Sequence, residues 1–161
     1  MNRHGLAIAV FAVSVALDRV VKLWVQSALA EHQSVPAIPG VLYITLTYNT
    51  GIAFGLLQNA QWLTVPVSAL VIAGALAIYL RLPAKDRFAA VALAMLLGGA
   101  VANLYDRIVH GRVTDMFDLR WWPVFNVADS LICVAVALLV VRAMFAPHQN
   151  QESAVRPGES G

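Results

Sequence analysis

Asp115-Met116-Phe117-Asp118-Leu119-Arg120-Trp121-Trp122-Pro123-Val124-Phe125-Asn126-Val127-Ala128-Asp129 separates two long apolar runs. Upstream, Phe88 to Tyr105 carries no charge before Asp106-Arg107; downstream, the run from Ser130 meets none until Arg142. Each is close to the roughly 20 residues that an α-helix needs to cross a bilayer. Carboxylates at the edges of such segments are costly unless they are paired or used, so they mark functional positions by default. Asp115 and Asp129 are the pair on which the reading turns.

Composition agrees with a membrane chain. Of the 161 residues, 60% are hydrophobic and 12% charged, and the mean hydropathy is +0.71. Soluble domains average about 45–50% apolar and about 25% charged residues. So much apolar surface cannot be buried in one aqueous core of this size. The net charge of +2 is small and its basic residues are dispersed, which argues against a nucleic-acid partner. Cys133 is the only cysteine, so no internal disulfide forms; its apolar setting predicts a buried, inert thiol.

Four spans are expected. The first covers Gly5 to Val25 and is interrupted late by Asp18, Arg19 and Lys22; those charges favour a retained helix over a cleaved signal peptide. Pro36, Pro39 and Gly40 then predict turns. Leu42, Ile44, Leu46 and Tyr48 alternate with Tyr43, Thr45, Thr47 and Asn49, the period of a β-strand. A strand exposed to lipid leaves its backbone unsatisfied, so this one belongs at the membrane surface, packed on protein. Asn49-Thr50-Gly51 breaks it before Ile52-Ala53-Phe54. Trp62 to Leu80 is the second span, with Pro66 able to kink it; Phe88 to Tyr105 is the third, with Gly98-Gly99-Ala100 for close helix contact. Val127 to Phe145 is the fourth. Residues 1–146 read as a single domain, and the polar tail 147–161 as disordered.

With four spans, Arg3, the Arg81–Arg87 connection and Arg142 share one side, which the positive-inside rule makes cytoplasmic. Arg107, Arg112 and Arg120 fall on the other side, interleaved with Asp106, Asp115 and Asp118, and read as partners of those carboxylates. Asp115, just after the helix terminator Gly111, is expected in the loop entering the fourth helix.

Spacing groups the polar residues. Asp18 and Lys22 are i, i+4 and can pair along one helix face. Asn103, Asp106 and Arg107 share a face of the third helix, where the dull reading is a hydrogen-bonded cluster with a terminal Asp–Arg pair. Asn126 and Asp129 are i, i+3 where the fourth helix begins, and helix capping alone explains an Asp there. Two carboxylates brought together at a membrane boundary do more. Like charge and desolvation oppose double ionisation, so the pair shares a proton and suits the water-activating chemistry of aspartic peptidases. His4, His32, His110 and His148 lack a partnered nucleophile, and no spacing suggests a zinc site. A calcium site from Asp106, Asp115 and Asp118 is disfavoured by the arginines among them.

Five segments in order resemble a known family over Ala16 to Phe145. They are Asp18…Lys22, Asn49-Thr50-Gly51-Ile52-Ala53-Phe54, Gly98 to Arg107, Gly111-Arg112-Val113-Thr114-Asp115, and Phe125-Asn126-Val127-Ala128-Asp129-Ser130. The chain resembles the lipoprotein signal peptidases, or signal peptidase II. The resemblance implies four transmembrane helices and a small extracytoplasmic β-cradle between helices 1 and 2. It also implies a bacterial inner-membrane location, both termini in the cytoplasm and a site near the periplasmic face. The implied activity is removal of the signal peptide from prolipoproteins, before a diacylglyceryl-modified cysteine in a membrane-lipid setting. It further implies inhibition by globomycin and no metal or cofactor. It puts the dyad on Asp115 and Asp129, a substrate pocket around Asn49, Gly51, Asn103, Arg107 and Asn126, and supporting roles on Asp18 and Lys22. Arg19 stands where the family has Gln and is expected to compete with Lys22 for Asp18. Met116 follows Asp115 where Phe is usual, implying a small repacking. A proton- or cation-coupled transporter is the alternative class.

Overall fold

The computed structural model describes residues 2–51 and 61–145. Ile52-Ala53-Phe54, His148 and the 147–161 tail lie outside the described residues. The described elements are α1 (Arg3–Ala28), β1 (Ser34–Ile38), β2 (Leu42–Asn49), α2 (Gln61–Arg81), α3 (Arg87–His110), β3 (Val113–Asp118) and α4 (Val127–Phe145). Among the described residues, α2, α3 and α4 are long and apolar enough to cross a membrane. α1 has the length, with 26 residues, but carries Asp18, Arg19 and Lys22 in one turn.

Local chemistry sets the helix ends. Asn2 caps α1 by accepting from the Gly5 N–H at 2.7 Å, and Asp86 caps α3 by accepting from Ala89 at 3.1 Å. Gly111 ends α3 in the left-handed conformation at φ 70°, which glycine adopts without a Cβ penalty. The helix extends beyond the apolar span ending at Tyr105 and stops at His110, with Gly111 the expected terminator. α2 continues through Pro66.

α3 is the central helix and packs against each of the other three. Its close approaches use small residues, as membrane helices do. A Cβ on Gly98 would lie 2.6 Å from that of Ser14 on α1, and one on Gly99 would lie 2.6 Å from the Ala128 carbonyl oxygen on α4. Gly99→Ala therefore pushes on backbone in the turn that carries Asp129. It is expected to destabilise the protein by about 1–3 kcal/mol, read as a lower melting temperature in detergent.

The sheet has the order β1-β2-β3, antiparallel throughout. Ile44, Leu46 and Tyr48, the expected apolar face of β2, pack with Val25 of α1 and Met116 of β3. Met116 is fully buried there, in the core between the sheet and α1.

Three expectations about this region are corrected. Pro36 is not a turn but lies within β1, paired with Tyr43; an edge strand tolerates a residue with no N–H to donate. Asp115 lies not in a loop but on β3, opposite Thr47. The sheet consequently does not come from the α1–α2 connection alone, because its third strand enters between α3 and α4. Cys133 is also corrected: it is exposed on α4. α4 has one face on α3, and Cys133 lies off that face.

Candidate active site

The site begins with an ion cluster between helices. Lys22 and Asp18 are wholly buried. The Lys22 ammonium reaches Asp18 Oδ2 at 2.7 Å, Asp106 Oδ2 at 2.8 Å and Asn103 Oδ1 at 3.0 Å, which uses all three of its donors. Asp18 Oδ1 accepts from the Ala128 N–H at 2.9 Å, so it also satisfies the first turn of α4. Arg19 does not compete for Asp18; it pairs with Asp106 Oδ1 at 2.5 Å, and its guanidinium lies 5.0 Å from the Tyr105 ring centre. Two acids and two bases thus balance, and a terminal Asp106–Arg107 pair does not form.

Lys22 then orients the amides. A lysine only donates, so Asn103 must turn its oxygen to Lys22 and its Nδ2 to Asp129, where it donates to Oδ1 at 2.8 Å. Asn126 and Asp129 cap α4 reciprocally: Asn126 Oδ1 accepts from the Asp129 N–H at 2.9 Å, and Asp129 Oδ2 accepts from the Asn126 N–H at 3.3 Å. The capping and functional readings of Asp129 are therefore compatible, since each oxygen takes one partner. Asn126 Nδ2 donates to Asp115 Oδ1 at 2.6 Å and to Asn103 Oδ1 at 3.2 Å. One amide chain, Asp115–Asn126–Asn103–Asp129, connects the two carboxylates.

The sheet supplies the other side. Gly51 N–H donates to Asn49 Oδ1 at 2.9 Å, which aims Asn49 Nδ2 at Asp115 Oδ2, 3.2 Å away. Asp115 is 2% exposed. Its pKa is pushed up to about 7, first by burial and then by the charge of Asp129; the hydrogen bonds from Asn126 and Asn49 oppose the rise.

A cavity of about 330 Å³ opens on this pair. Asn49, Asn103, Arg107, Asp115 and Asp129 form its polar wall, and Trp122, Phe125 and Ile132 stand in the apolar one. Gly51, Asn126, Asp18 and Lys22 do not line it; they stand behind and hold those that do. Arg107 donates to the Asn103 carbonyl at 3.5 Å.

Arg120, expected to partner a carboxylate, does pair with Asp118 Oδ2 at 3.4 Å; the contacts around that pair were not legible in the sequence. Asp118 accepts from Thr45 Oγ1 at 2.9 Å and from the Arg120 N–H at 2.8 Å, and the Arg120 side chain lies 3.8 Å from the Tyr43 ring centre. Arg120 adopts φ 68°, a turn that the Asp118 carboxylate stabilises. Arg112, also expected to partner a carboxylate, instead stacks on Tyr48, 3.6 Å from the ring centre, and has no carboxylate partner among the described residues. The alternation of Val113, Asp115 and Phe117 was the available signal for β3, masked by its short length. With Asp106 held at Lys22 and Asp118 at Thr45, neither joins Asp115 in a calcium-like cluster.

Known proteins share this arrangement of helices. A family model described as signal peptidase (SPase) II matches residues 10–145. A lipoprotein signal peptidase of Desulfitobacterium hafniense is 37% identical over 139 residues, covering 86% of this chain and 92% of the relative. One from Symbiobacterium thermophilum is 42% identical, covering 83% and 91%. A bacterial membrane enzyme solved by the in meso method at 2.3 Å superposes with a TM-score of 0.85 at 26% identity, covering 94% of this chain and 95% of that one. Agreement of this extent in sequence and in fold leads to one conclusion: the chain belongs to the signal peptidase II family.

Proposed function

We propose that this chain is an intramembrane aspartic endopeptidase that removes signal peptides from prolipoproteins, cutting before the diacylglyceryl-modified cysteine. Its relatives are named lipoprotein signal peptidases, and the observation that carries the aspartic mechanism is the amide-bridged pair Asp115–Asp129 facing one cavity. The pair holds one proton, with Asp115 the member that keeps it up to about pH 7. The ionised partner, on the first turn of α4 where the helix dipole complements negative charge, takes a proton from water. As that water's oxygen bonds to the scissile carbon, Asp115 gives its proton to the carbonyl oxygen. The tetrahedral intermediate then breaks its C–N bond; Asp129 passes its proton to the leaving nitrogen, and a hydroxyl of the intermediate returns one to Asp115. Asn49 and Arg107 flank the pair and are placed to hold the peptide backbone.

In this reading α1 is a fourth span, with its charges neutralised among themselves. Residues 1–146 form the enzyme and 147–161 a cytoplasmic tail. The contacts at the far end of the bundle, His4 to Tyr79 and Arg142 to Asp86, support both termini on one side and the sheet and dyad on the other, periplasmic, face of a bacterial inner membrane. A lipid-anchored substrate presents its scissile bond at that depth. The transporter alternative finds no support, because the buried carboxylates gather at one end of the bundle and interlock.

Purified protein is expected to cut a diacylglyceryl prolipoprotein, to leave the unlipidated precursor intact and to be blocked by globomycin. Equal cleavage of both precursors would remove the lipid from the recognition. The pH dependence follows from the sign of the Asp115 shift: a carboxyl raised to about 7 is protonated below that value and loses its proton above it. kcat/KM is therefore expected to fall about tenfold per pH unit on the alkaline side of roughly pH 7, measured with the lipidated substrate. A profile flat to pH 9 would show that no protonated carboxyl is needed.

A further inference from the structure

We propose that the crevice between α1 and α2, at the end of the bundle away from the aspartates, is a binding site for an anionic phospholipid. α1 and α2 each pack on α3. Between them lies a cavity of about 280 Å³ whose walls are Ile8 and Phe11 on one side and Ile72 and Leu76 on the other, with Ala94 and Leu97 of α3 as the floor. It is apolar except at one end, where Tyr79 closes it. That end is about 20 Å from Asp18 along α1, at about 1.5 Å per residue. The site is thus separate from the peptidase centre and does not depend on the reading of that centre.

The polar end carries unanswered donors and charge. Arg3 Nη2 lies 3.3 Å from His4 Nε2, and because arginine only donates, His4 must accept there and carry its proton on Nδ1. His4 Nδ1 then donates to Tyr79 Oη at 2.9 Å, which leaves the Tyr79 hydroxyl hydrogen without an acceptor among the described residues. The Arg3 guanidinium lies 5.5 Å from the Tyr79 ring centre and donates to the Leu82 carbonyl at 2.5 Å, while its Nε has no partner. Among the described residues no carboxylate pairs with Arg3, Arg81, Lys85 or Arg87, and the one carboxylate nearby, Asp86, is taken by Arg142.

An apolar slot below, with a phenol donor and uncompensated cations above, is complementary to an acyl chain joined to a phosphate-bearing head. The acyl chain lies along α3 between Phe11 and Leu76, and the phosphate meets Arg3 and the Tyr79 hydroxyl.

The test uses the full chain in detergent, stripped of lipid, then given phosphatidylglycerol or phosphatidylcholine with the same acyl chains. Bound lipid is counted by native mass spectrometry and stability by melting temperature. A basic side chain at the headgroup strengthens anionic binding about fivefold. Phosphatidylglycerol is expected to be retained at least that much better, Arg3→Gln to bring the two lipids to near parity, and Leu97→Trp, which plugs the floor, to abolish retention of both. Ile8→Trp, on the exposed wall, supplies the same plug if Leu97→Trp does not fold. Equal retention of the two lipids by the wild type, or a preference that survives Arg3→Gln, overturns the proposal. So does stabilisation reproduced by inorganic phosphate alone, which would indicate an ion site without an acyl slot.

Discussion

Asp129→Asn and Asp115→Asn are each expected to lower the cleavage rate by at least about 10³-fold, the scale of a lost general acid or base. Stability is expected to fall only modestly. An Asn at position 129 keeps one oxygen for Asn103 or for the Asn126 N–H, but turns an NH₂ toward the other donor. An Asn at position 115 faces the amides of Asn126 and Asn49 in the same way. One mismatched buried donor costs about 1–3 kcal/mol, which circular dichroism melts in detergent resolve from unfolding. A folded variant that retains substantial activity would remove that residue from the dyad.

Lys22→Met is expected to have the largest effect on stability. Lys22 is 0% exposed, and among the described residues it is the only cation paired with Asp18, whereas Asp106 keeps Arg19. Removing one partner of a buried ion pair costs about 3–5 kcal/mol, because the remaining charge has no water to return to. Activity is expected to fall as well, since Asn103 loses the donor that decides which way its amide faces. The added change Asp18→Asn, which removes the stranded charge, is expected to recover part of the melting temperature but not the activity. Full stability in Lys22→Met alone would mean that the cluster is solvated and does not brace the site.

Much of this was legible from residue types and spacing. α4 starts at Val127 because Asn126 and Asp129 form a reciprocal cap, and that i, i+3 signature is local. The Asp18–Lys22 pair needed only one helical turn, and Gly98-Gly99 only the rule that small residues mark close contacts. β2 showed its alternation because one face packs on α1.

What stayed hidden depends on partners distant in sequence. Arg19 and Asp106 lie on different helices, and nothing local distinguishes Arg19 as a competitor for Asp18 from Arg19 as the second base of a balanced cluster. β1 was obscured by Pro36, whose tolerance depends on the strand being at the sheet's edge. β3 has no local signal strong enough to separate it from a loop, because its pairing with β2 is set by tertiary contact. Cys133 looked buried because an apolar neighbourhood in sequence does not distinguish a helix face turned to the bundle from one turned outward. The aspartates could be paired from charge placement, but the amide bridge that connects them could not, since it depends on the facing of Asn103 and Asn126.

The most direct test is a single-turnover comparison of wild type, Asp115→Asn, Asp129→Asn and the double variant on one diacylglyceryl prolipoprotein, with products identified by mass. Groups that act as a unit lose nearly everything at the first substitution. The wild type should release a signal peptide ending just before the modified cysteine, and the double variant should be no slower than either single. Losses that multiply, or a single variant that still cuts at that bond at a comparable rate, would contradict a shared Asp115–Asp129 mechanism.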